Sequence, residues 1–440
     1  MLHTSASPIN CKELINMHFA QEHTSSYYAA SANRVTGFPR LKGDMRADVC
    51  VIGGGFTGIS TALTLAERSY NVCVLEANRI GWGASGRNGG QLIAGISGEQ
   101  KILDIDPGIA DLVWDMRWRG HEIIQQRVEH YEIDCDLKYG YVDVAIKPRH
   151  VSDLQAEENR LAKRDVPFEH KLLSQAETCE ALGTDAYIGA LQIMGNGHLH
   201  PLNLCIGEAE AAVSLGAQLY EQSAAMRIDH GDSVRVSTAE GSITADFAVI
   251  AGNAYQSLVK SVSGRFFPVR SYIIATEPLS EEQLDTINPH DFAVCDPNFV
   301  LEYFRLSADK RLLFGGRCNY FGDDQKVIAS QLKPRMLKIY PQLRDIAIDY
   351  AWGGTIAVPM NRVPQLGRTA KNVFYSNAYA GHGVNVTHLA GEIMADVIGG
   401  TAEKFDVFSR FRSTRIPGVT YFGNAMVSMG LIYYGLKDKW

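Results

Sequence analysis

The sequence lacks any long uninterrupted apolar run. No stretch approaches the roughly 18 apolar residues that a membrane span needs. The start of the chain, MLHTSASPINCKELINMHFAQEH, also has no apolar core of the kind found in signal peptides. We therefore expect a cytoplasmic protein without a membrane partner.

An excess of basic charge is absent too. The 440 residues include 42 lysines and arginines against 49 aspartates and glutamates, a formal net charge of −7, and the basic residues are scattered. This distribution argues against a nucleic acid partner. With 46% hydrophobic residues the chain can bury a core, and its length predicts two globular units, either sequential or interleaved.

Cysteine is sparse and follows no pattern. The eight cysteines form no C-x-x-C pair and no zinc-type spacing with histidine. Cys50 and Cys73 stand in apolar, strand-like runs, where a small buried thiol is the expected role. We predict neither a disulfide nor a metal site. No repeat of fixed period occurs, which argues against a solenoid or a propeller.

What the sequence does contain is a strand, a glycine turn, a helix and a second strand, in VCVIGGG, FTGISTALTLAERSY and NVCVLEA. Gly53, Gly55 and Gly58 make a G-x-G-x-x-G motif at the first turn. The first glycine permits the tight turn, the second lets a pyrophosphate approach the backbone, and the third lets helix and strand pack closely. The free amide groups at the start of the helix then hold the anion.

Glu76 ends the second strand, eighteen residues after Gly58. A carboxylate at this place accepts hydrogen bonds from ribose hydroxyls. It also disfavours the 2′-phosphate of NADP. The alternative is a glycine turn followed by an incidental acid. At this point both FAD and NAD remain open.

A second glycine-rich stretch, RIGWGASGRNGGQL, runs from Arg79 to Leu92. Its five glycines allow another close approach of the backbone to a ligand, and Ser85, Asn88 and Gln91 offer polar contacts. An NAD site does not need this loop, whereas an extended FAD does. The alternative is a flexible surface hairpin.

The third motif is YAGHGVNVTHLAGE, which follows the predicted strand NVFYSN. Its turn at Gly381 and Gly383 opens a helix. The N-terminus of such a helix would stabilise the negative charge that develops at the pyrimidine edge of a flavin on reduction. His382 either contributes to this site or only caps the helix or packs in the core.

Periodicity gives a coarse map of the remaining chain. Helices are predicted at 111–133, 150–165 and 201–217, and strands at 136–146 and 218–230. Residues 265–350 look rich in strands, with a short helix around 329–338.

Six segments together carry a family resemblance: EHTSSYYAAS, GGGFTG, RIGWGASGRNGGQ, HLHPLNL, VIAGNAY and YAGHGVNVTHLAG. They resemble the D-amino-acid oxidase family of FAD-dependent oxidoreductases, the group with glycine oxidase and monomeric sarcosine oxidase. GGGFTG alone marks only a dinucleotide fold. HTSSYYAAS and HPLNL are similar to a narrower group, the oxidases of a gamma-glutamylated diamine. Residues 1–20 fall outside the resemblance.

The resemblance implies an α/β fold in which a Rossmann-like FAD-binding domain is interleaved with an α+β substrate domain rich in β-sheet, of the D-amino-acid oxidase and glycine oxidase type. The FAD-binding domain would comprise 45–96, 197–262 and 352–410, and the substrate domain 97–196 and 263–351. Residues 1–44 would form an N-terminal arm laid over the surface, and 411–440 a C-terminal tail.

The motifs and the resemblance together give a predicted set of cofactor contacts. Its members are Gly53, Gly55, Phe56, Thr57, Gly58, Glu76, Ala77, Gly83, Ala84, Ser85, Asn88, Gly89, Gly90, Gln91, Ala251, Gly252, Gly381, His382, Gly383 and Val384. Some relatives of sarcosine oxidase attach their flavin through a cysteine before the last glycine turn. The corresponding segment, WGGTIAVPMNRVPQLGR, has none, so we predict FAD bound without a covalent bond.

The resemblance also implies the chemistry. Flavin takes a hydride from the carbon beside a neutral primary amine, and water hydrolyses the resulting iminium to an aldehyde and ammonia. Oxygen would reoxidise the flavin and form hydrogen peroxide. Three alternatives remain. The first is oxidation of another amine: an amino acid, an N-methyl amino acid or an aminophosphonate. The second is a dehydrogenase that passes electrons to a quinone or a protein, and the third is a non-catalytic or protein-modifying FAD-binding factor. No catalytic residue is nominated, and the oligomeric state is left open.

Candidates for the substrate pocket come from the β-rich segments expected to face the flavin. They are Tyr272, Glu302, Tyr303, Trp352 and Arg362. The carboxylate of Glu302 can hold a cationic amine, and Arg362 can anchor a polar end of the substrate. For each of these residues taken singly, the alternative to binding the substrate is a purely structural role.

Overall fold

A computed structural model describes residues 21–255, 258, 262–298, 301–316 and 322–419. The predictions made for residues 1–20, for Cys318 and for the tail beyond 419 lie outside the described residues. Within them the strands form two sheets.

The first sheet has eight strands. They are β1 Gly43–Ile52, β2 Val72–Leu75, β7 Gln218–Tyr220, β8 Arg227–Asp229, β9 Val234–Ser237, β10 Gly241–Ile250, β16 Gln365–Ala370 and β17 Val373–Asn377. Their order is β16-β17-β10-β1-β2-β7, with β9 beside β10 and β8 beside β9. The strands β17, β10, β1, β2 and β7 are parallel neighbours. Parallel pairing places their carboxyl ends along one edge, where α/β sheets bind ligands.

The second sheet has nine strands, almost all antiparallel. They are β3 Gln91–Leu92, β4 Lys138–Ala145, β5 His170–Leu173, β6 Gly189–His198, β11 Phe266–Thr276, β12 Ala293–Cys295, β13 Tyr303–Leu306, β14 Leu312–Gly316 and β15 Ile348–Pro359. Their order is β15-β11-β14-β13-β12-β4-β6-β3, with β5 beside β6.

The helices connect and cover these sheets. The α-helices are α1 Tyr27–Ala30, α2 Phe56–Glu67, α3 Glu99–Ile105, α4 Ala110–His130, α5 Pro148–Lys163, α6 Gln175–Leu182, α7 Pro201–Ser214, α8 Glu281–Leu284, α9 Gln325–Ile339, α10 Gly383–Ile398 and α11 Glu403–Ser409. Short 3-10 helices occur at Ala84–Gly86, Pro107–Ile109, Asn253–Tyr255 and Pro341–Leu343. The helices predicted at 111–133, 150–165 and 201–217 are confirmed as α4, α5 and α7.

Two predicted elements have different bounds in the structure. The strand predicted at 218–230 is wrong over 221–226, which separates β7 from β8. Glu221 is fully buried there and accepts a hydrogen bond of 2.8 Å from the backbone N–H of Ile80, which draws the chain away from the sheet. The helix predicted at 329–338 begins earlier, because the side chain of Asp324 caps α9 by accepting from the N–H of Lys326 at 2.9 Å.

The main core lies between the first sheet and helices α2 and α10. On β1, Val49 and Val51 face these helices, while Cys50 and Ile52 face the opposite layer, as expected from the two-residue period of a strand. The two helices cross closely, because a Cβ added at Gly391 would lie 2.4 Å from Ser60 Oγ. This packing fixes the starts of both helices above the same edge of the sheet.

Candidate cofactor and substrate site

The first glycine turn joins β1 to α2 in a conformation that excludes side chains. Gly53 has φ +114, and a Cβ there would lie 2.8 Å from the carbonyl oxygen of Ala251 at the end of β10. A Cβ at Gly58 would lie 1.8 Å from the carbonyl oxygen of Gly53. The turn therefore brings bare backbone to the carboxyl edge of the sheet, as a dinucleotide site requires.

The start of α2 presents free amide groups. Gly55 is the N-cap residue and has no side chain with which to cap the helix. Ser85 supplies a substitute from the second glycine loop, because its Oγ accepts a hydrogen bond of 2.8 Å from the N–H of Phe56. A hydroxyl oxygen thus lies where an anion binds at a helix N-terminus. This arrangement fits a pyrophosphate held between α2 and the second loop.

Glu76 lies directly after β2 and faces the first turn. Its Oε2 accepts a hydrogen bond of 2.6 Å from the N–H of Gly54, and its Oε1 accepts one of 2.8 Å from Asn78. A carboxylate can accept about four hydrogen bonds, so acceptor sites remain for ribose hydroxyls. Burial raises the pKa of Glu76 to about 7, although the N–H groups of Gly54 and Asn78 lower it.

The second glycine loop is held mainly by its own contacts. Asn88 donates to the carbonyl of Ser85 at 2.7 Å and accepts from the N–H of Gly90 at 2.8 Å. Gln91 donates to the carbonyl of Val294 in the second sheet at 2.9 Å. These polar groups shape the loop, and their direct contact with a cofactor stays a prediction.

Side chains of the second sheet pack against the second glycine loop. A Cβ at Gly89 would lie 2.6 Å from the ring of Tyr303. Trp352 donates a hydrogen bond of 3.1 Å from its indole N–H to the carbonyl of Arg87. Two of the substrate-pocket candidates, Tyr303 and Trp352, therefore contact the loop that is predicted to bind FAD.

The third glycine turn follows β17 and contains residues in the left-handed region. Ala378, Ala380 and Gly381 have φ of 63, 55 and +95. The N–H of Ala378 donates to Asn253 Oδ1 at 3.1 Å, which ties the end of β17 to the end of β10. His382 is the N-cap residue of α10, but its ring makes no capping hydrogen bond. Capping of α10 by the His382 side chain, one of the alternatives expected from the sequence, is therefore excluded.

The carboxyl edge of the first sheet also contains an unsatisfied polar atom. Asn377, 2% exposed at the end of β17, has an Oδ1 without a hydrogen-bond partner among the described residues. Four features thus lie at this edge: bare glycine backbone, amides at a helix start, an acid suited to a ribose and a polar atom without a partner. The residues present fit an extended dinucleotide.

The remaining substrate-pocket candidates lie in different surroundings. Tyr272 is fully buried, and a Cβ at Gly353 would lie 2.7 Å from its ring, so it packs inside the second sheet. Glu302 accepts a hydrogen bond of 2.5 Å from Arg335 Nε. Arg362 lies in the turn between β15 and β16 with φ 64. The roles of these three residues in a substrate pocket stay predictions.

The segments HTSSYYAAS and HPLNL, which resemble the narrower group of oxidases, contact each other. Sequence reasoning did not predict this contact. Tyr28 of the N-terminal arm is fully buried, and its ring lies 5.0 Å from that of His200. His200 accepts the N–H of Asn203 at Nδ1, so its Nε2 carries the proton and donates to Ser31 Oγ at 3.1 Å. The arm is therefore packed into the protein at this point and not merely laid over it. The apolar pair Tyr27–Tyr28 was the available signal.

Metal-binding clusters and membrane-spanning helices are both absent from the described residues. No group of three or more histidine, cysteine or acidic side chains is arranged to hold a metal ion in the described ranges. None of the helices seen there is long and apolar enough to cross a membrane.

Comparison with known proteins gives a consistent set of relatives. The family model described as FAD dependent oxidoreductase, DAO, matches residues 48–397. Gamma-glutamylputrescine oxidoreductase of Escherichia coli is 41% identical over 95% of this chain and 99% of its own. The probable oxidoreductase OrdL of Haemophilus influenzae is 38% identical over 96% of this chain and 98% of its own.

Solved structures show the same fold at lower identity. Glycine oxidase from Geobacillus kaustophilus superposes with a TM-score of 0.70 at 23% identity, covering 84% of this chain and 99% of that one. L-proline dehydrogenase from P. horikoshii superposes with a TM-score of 0.66 at 21% identity, covering 88% and 99%. An oxidase and a dehydrogenase thus share this fold.

Proposed function

Because the chain belongs to the DAO family of FAD-dependent oxidoreductases and therefore uses FAD, we propose that it oxidises the free primary amine of gamma-glutamylputrescine. The products would be gamma-glutamylaminobutyraldehyde and ammonia, with electrons passed to oxygen to give hydrogen peroxide. The observation that carries this proposal is the 41% identity to gamma-glutamylputrescine oxidoreductase over 95% of the chain.

The chain's own residues have distinct tasks in this proposal. Bound FAD supplies the acceptor for the hydride. The start of α2 at Gly55 and the hydroxyl of Ser85, to which the N–H of Phe56 donates, hold its pyrophosphate, and Glu76 holds its ribose. Tyr303 and Trp352, which contact the second glycine loop, would line the pocket on the side of the second sheet.

The substrate end of the proposal depends on two charges. The amine gives its proton to water and binds in the neutral form before it gives up a hydride, so the pocket needs no strong base. The glutamyl end carries a carboxylate, for which Arg362 is the proposed partner. A pocket whose buried polar groups pair the glutamyl head discriminates against an analogue that lacks it, because those groups are then left unpaired.

The experiment compares kcat/KM for gamma-glutamylputrescine, putrescine, glycine and sarcosine, with peroxide detection and with anaerobic bleaching of the flavin. We expect gamma-glutamylputrescine to be preferred over putrescine by a factor of about 10⁴ or more, the range seen when a site pairs a polar group of its substrate. A preference for glycine or sarcosine contradicts the substrate. Bleaching without peroxide in air contradicts oxygen as acceptor and favours a dehydrogenase. No bleaching with any amine favours a non-catalytic factor.

A further inference from the structure

Arg305 is a buried guanidinium on β13, 2% exposed, whose hydrogen bonds all end on uncharged oxygens. Its Nε donates to the carbonyl of Gly89 at 2.8 Å and its Nη1 to that of Leu306 at 2.9 Å. Its Nη2 donates to the carbonyl of Leu199 at 2.9 Å and to the hydroxyl of Tyr28 at 3.1 Å. In the part of the chain that the structure describes, no carboxylate pairs with it.

Two other buried arginines differ in this respect. Arg117 donates to Glu99 at 3.0 Å, and Arg127 donates to Glu208 at 2.9 Å. A charge taken out of water without a counter-charge costs considerable free energy. Arg117 and Arg127 have carboxylates that offset the cost of burying their charges. The burial of Arg305 without one therefore needs another explanation.

The position of Arg305 suggests that reason. It lies directly behind the second glycine loop, where a Cβ at Gly90 would be 2.6 Å from Arg305 Nη2 and 2.3 Å from the carbonyl oxygen of Leu199. Its positive charge also acts on neighbouring groups: burial and, after it, the charge of Arg305 lower the pKa of His200 to about 3. At Gly89 and Gly90 the loop between Arg305 and the proposed cofactor site consists of backbone without side chains.

We propose that Arg305 is a positioning residue that keeps a fixed positive charge behind the Gly89–Gly90 loop, and that its counter-charge is the negative charge which FAD gains on reduction. A hydride brings one hydrogen nucleus and two electrons, so FAD acquires one negative charge until a further proton binds. A nearby cation in a poorly solvated interior favours that state over the neutral oxidised state. The inference rests on FAD binding at the glycine loops and not on the identity of the amine.

The test measures the midpoint potential of bound FAD by anaerobic titration against a reference dye, with no amine present. Arg305→Gln removes the charge but can still donate hydrogen bonds to the loop carbonyls. Arg305→Lys keeps the charge and loses the planar fork. Tyr28→Phe is the matched control, because it removes one hydrogen bond of the same group and no charge. A failure of the amine proposal leaves this measurement unaffected.

For Arg305→Gln we expect the equilibrium constant for two-electron reduction to fall at least tenfold, which is about 30 mV in the midpoint potential. Arg305→Lys and Tyr28→Phe should stay within threefold of the wild type. An unchanged potential in Arg305→Gln overturns the inference, and so does an equal fall in Arg305→Lys. A folded Arg305→Gln protein that has lost affinity for oxidised and reduced FAD equally also overturns it, because Arg305 would then only hold the loop.

A titratable variant covers the case in which Arg305→Gln does not fold. In Arg305→His the charge can be removed by raising the pH through the pKa of the imidazole. We expect its midpoint potential to fall over that range by more than the wild-type potential does. Parallel pH profiles of the two proteins overturn the inference.

Discussion

Glu76 Oε2 accepts a hydrogen bond of 2.6 Å from the backbone N–H of Gly54. This carboxylate thus holds the first glycine turn in place and keeps acceptor sites for the proposed contact with the ribose of FAD. That contact would link the turn and the ribose through a single side chain.

Substitution of Glu76 separates these two tasks. Glu76→Ala removes both, and because a hydrogen bond to a charged group is worth about 1.5 to 3 kcal/mol, FAD affinity should fall about tenfold or more. Glu76→Gln keeps one oxygen that can accept from Gly54, so its loss of affinity should be smaller. Reconstitution of the apoprotein with FAD, followed by fluorescence, measures both. Unchanged affinity in Glu76→Ala would mean that the ribose binds elsewhere.

The pH dependence of the apoprotein follows from the raised pKa of Glu76, about 7 against an ordinary 4.5. A group whose pKa is higher in the folded state stabilises the fold fully below its unfolded pKa, and this contribution is lost as the pH rises through the folded pKa. Between pH 4.5 and 7.5 the wild-type apoprotein should therefore lose about 1 to 3 kcal/mol of unfolding free energy relative to Glu76→Gln. Urea unfolding at several pH values measures this. Parallel profiles of the two proteins would contradict the assignment.

The third glycine of the first motif allows a controlled test of close packing. Gly58→Ala places a Cβ 1.8 Å from the carbonyl oxygen of Gly53, so the turn must move. We expect a loss of about 1 to 3 kcal/mol of stability and weaker FAD binding. Gly37→Ala is the control, since nothing lies within 4 Å of the added Cβ. Equal melting temperatures for the two variants would show that the turn has room.

Non-covalent attachment of FAD has a simple check. The segment before the third glycine turn has no cysteine that could bond to the flavin. After acid precipitation we expect the yellow colour in the supernatant. Colour retained in the pellet would show that another residue forms a covalent link.

Glu302 can be tested against its partner. Because Arg335 already holds its carboxylate, we expect Glu302→Gln to lower the melting temperature and to leave KM for gamma-glutamylputrescine within about twofold of the wild type. Arg335→Gln should lower the melting temperature similarly if the pair is structural. A large rise in KM with an unchanged melting temperature would instead assign the amine to Glu302.

The cofactor half of the site was accessible to sequence reasoning because its signals are local. Gly53, Gly55 and Gly58 stand within six residues and require no knowledge of distant contacts. The strand and helix around them follow from apolar periodicity. Glu76 was found by its fixed distance along one strand-helix-strand unit.

The rest of the site is made by contacts between distant segments, which leave no local signal. Ser31 and His200 are separated by 169 residues, and Arg305 and Gly89 by 216. Glu302 looked available in the sequence, but its pairing with Arg335 depends on how α9 packs against the second sheet. The break between β7 and β8 likewise depends on Glu221 reaching the loop after β2.

The order of strands in the first sheet has a consequence for how the protein is made. The strand β10 pairs with β1 on one side and with β17 on the other, so the parallel sheet joins residues 43–52 to residues 373–377. On the ribosome, β1 emerges some 190 residues before β10 and more than 300 residues before β17. Parallel sheets with such distant partners form slowly and expose apolar strands meanwhile. The newly synthesised chain should therefore depend on chaperones until α10 has left the ribosome and the third glycine turn can close the cofactor site.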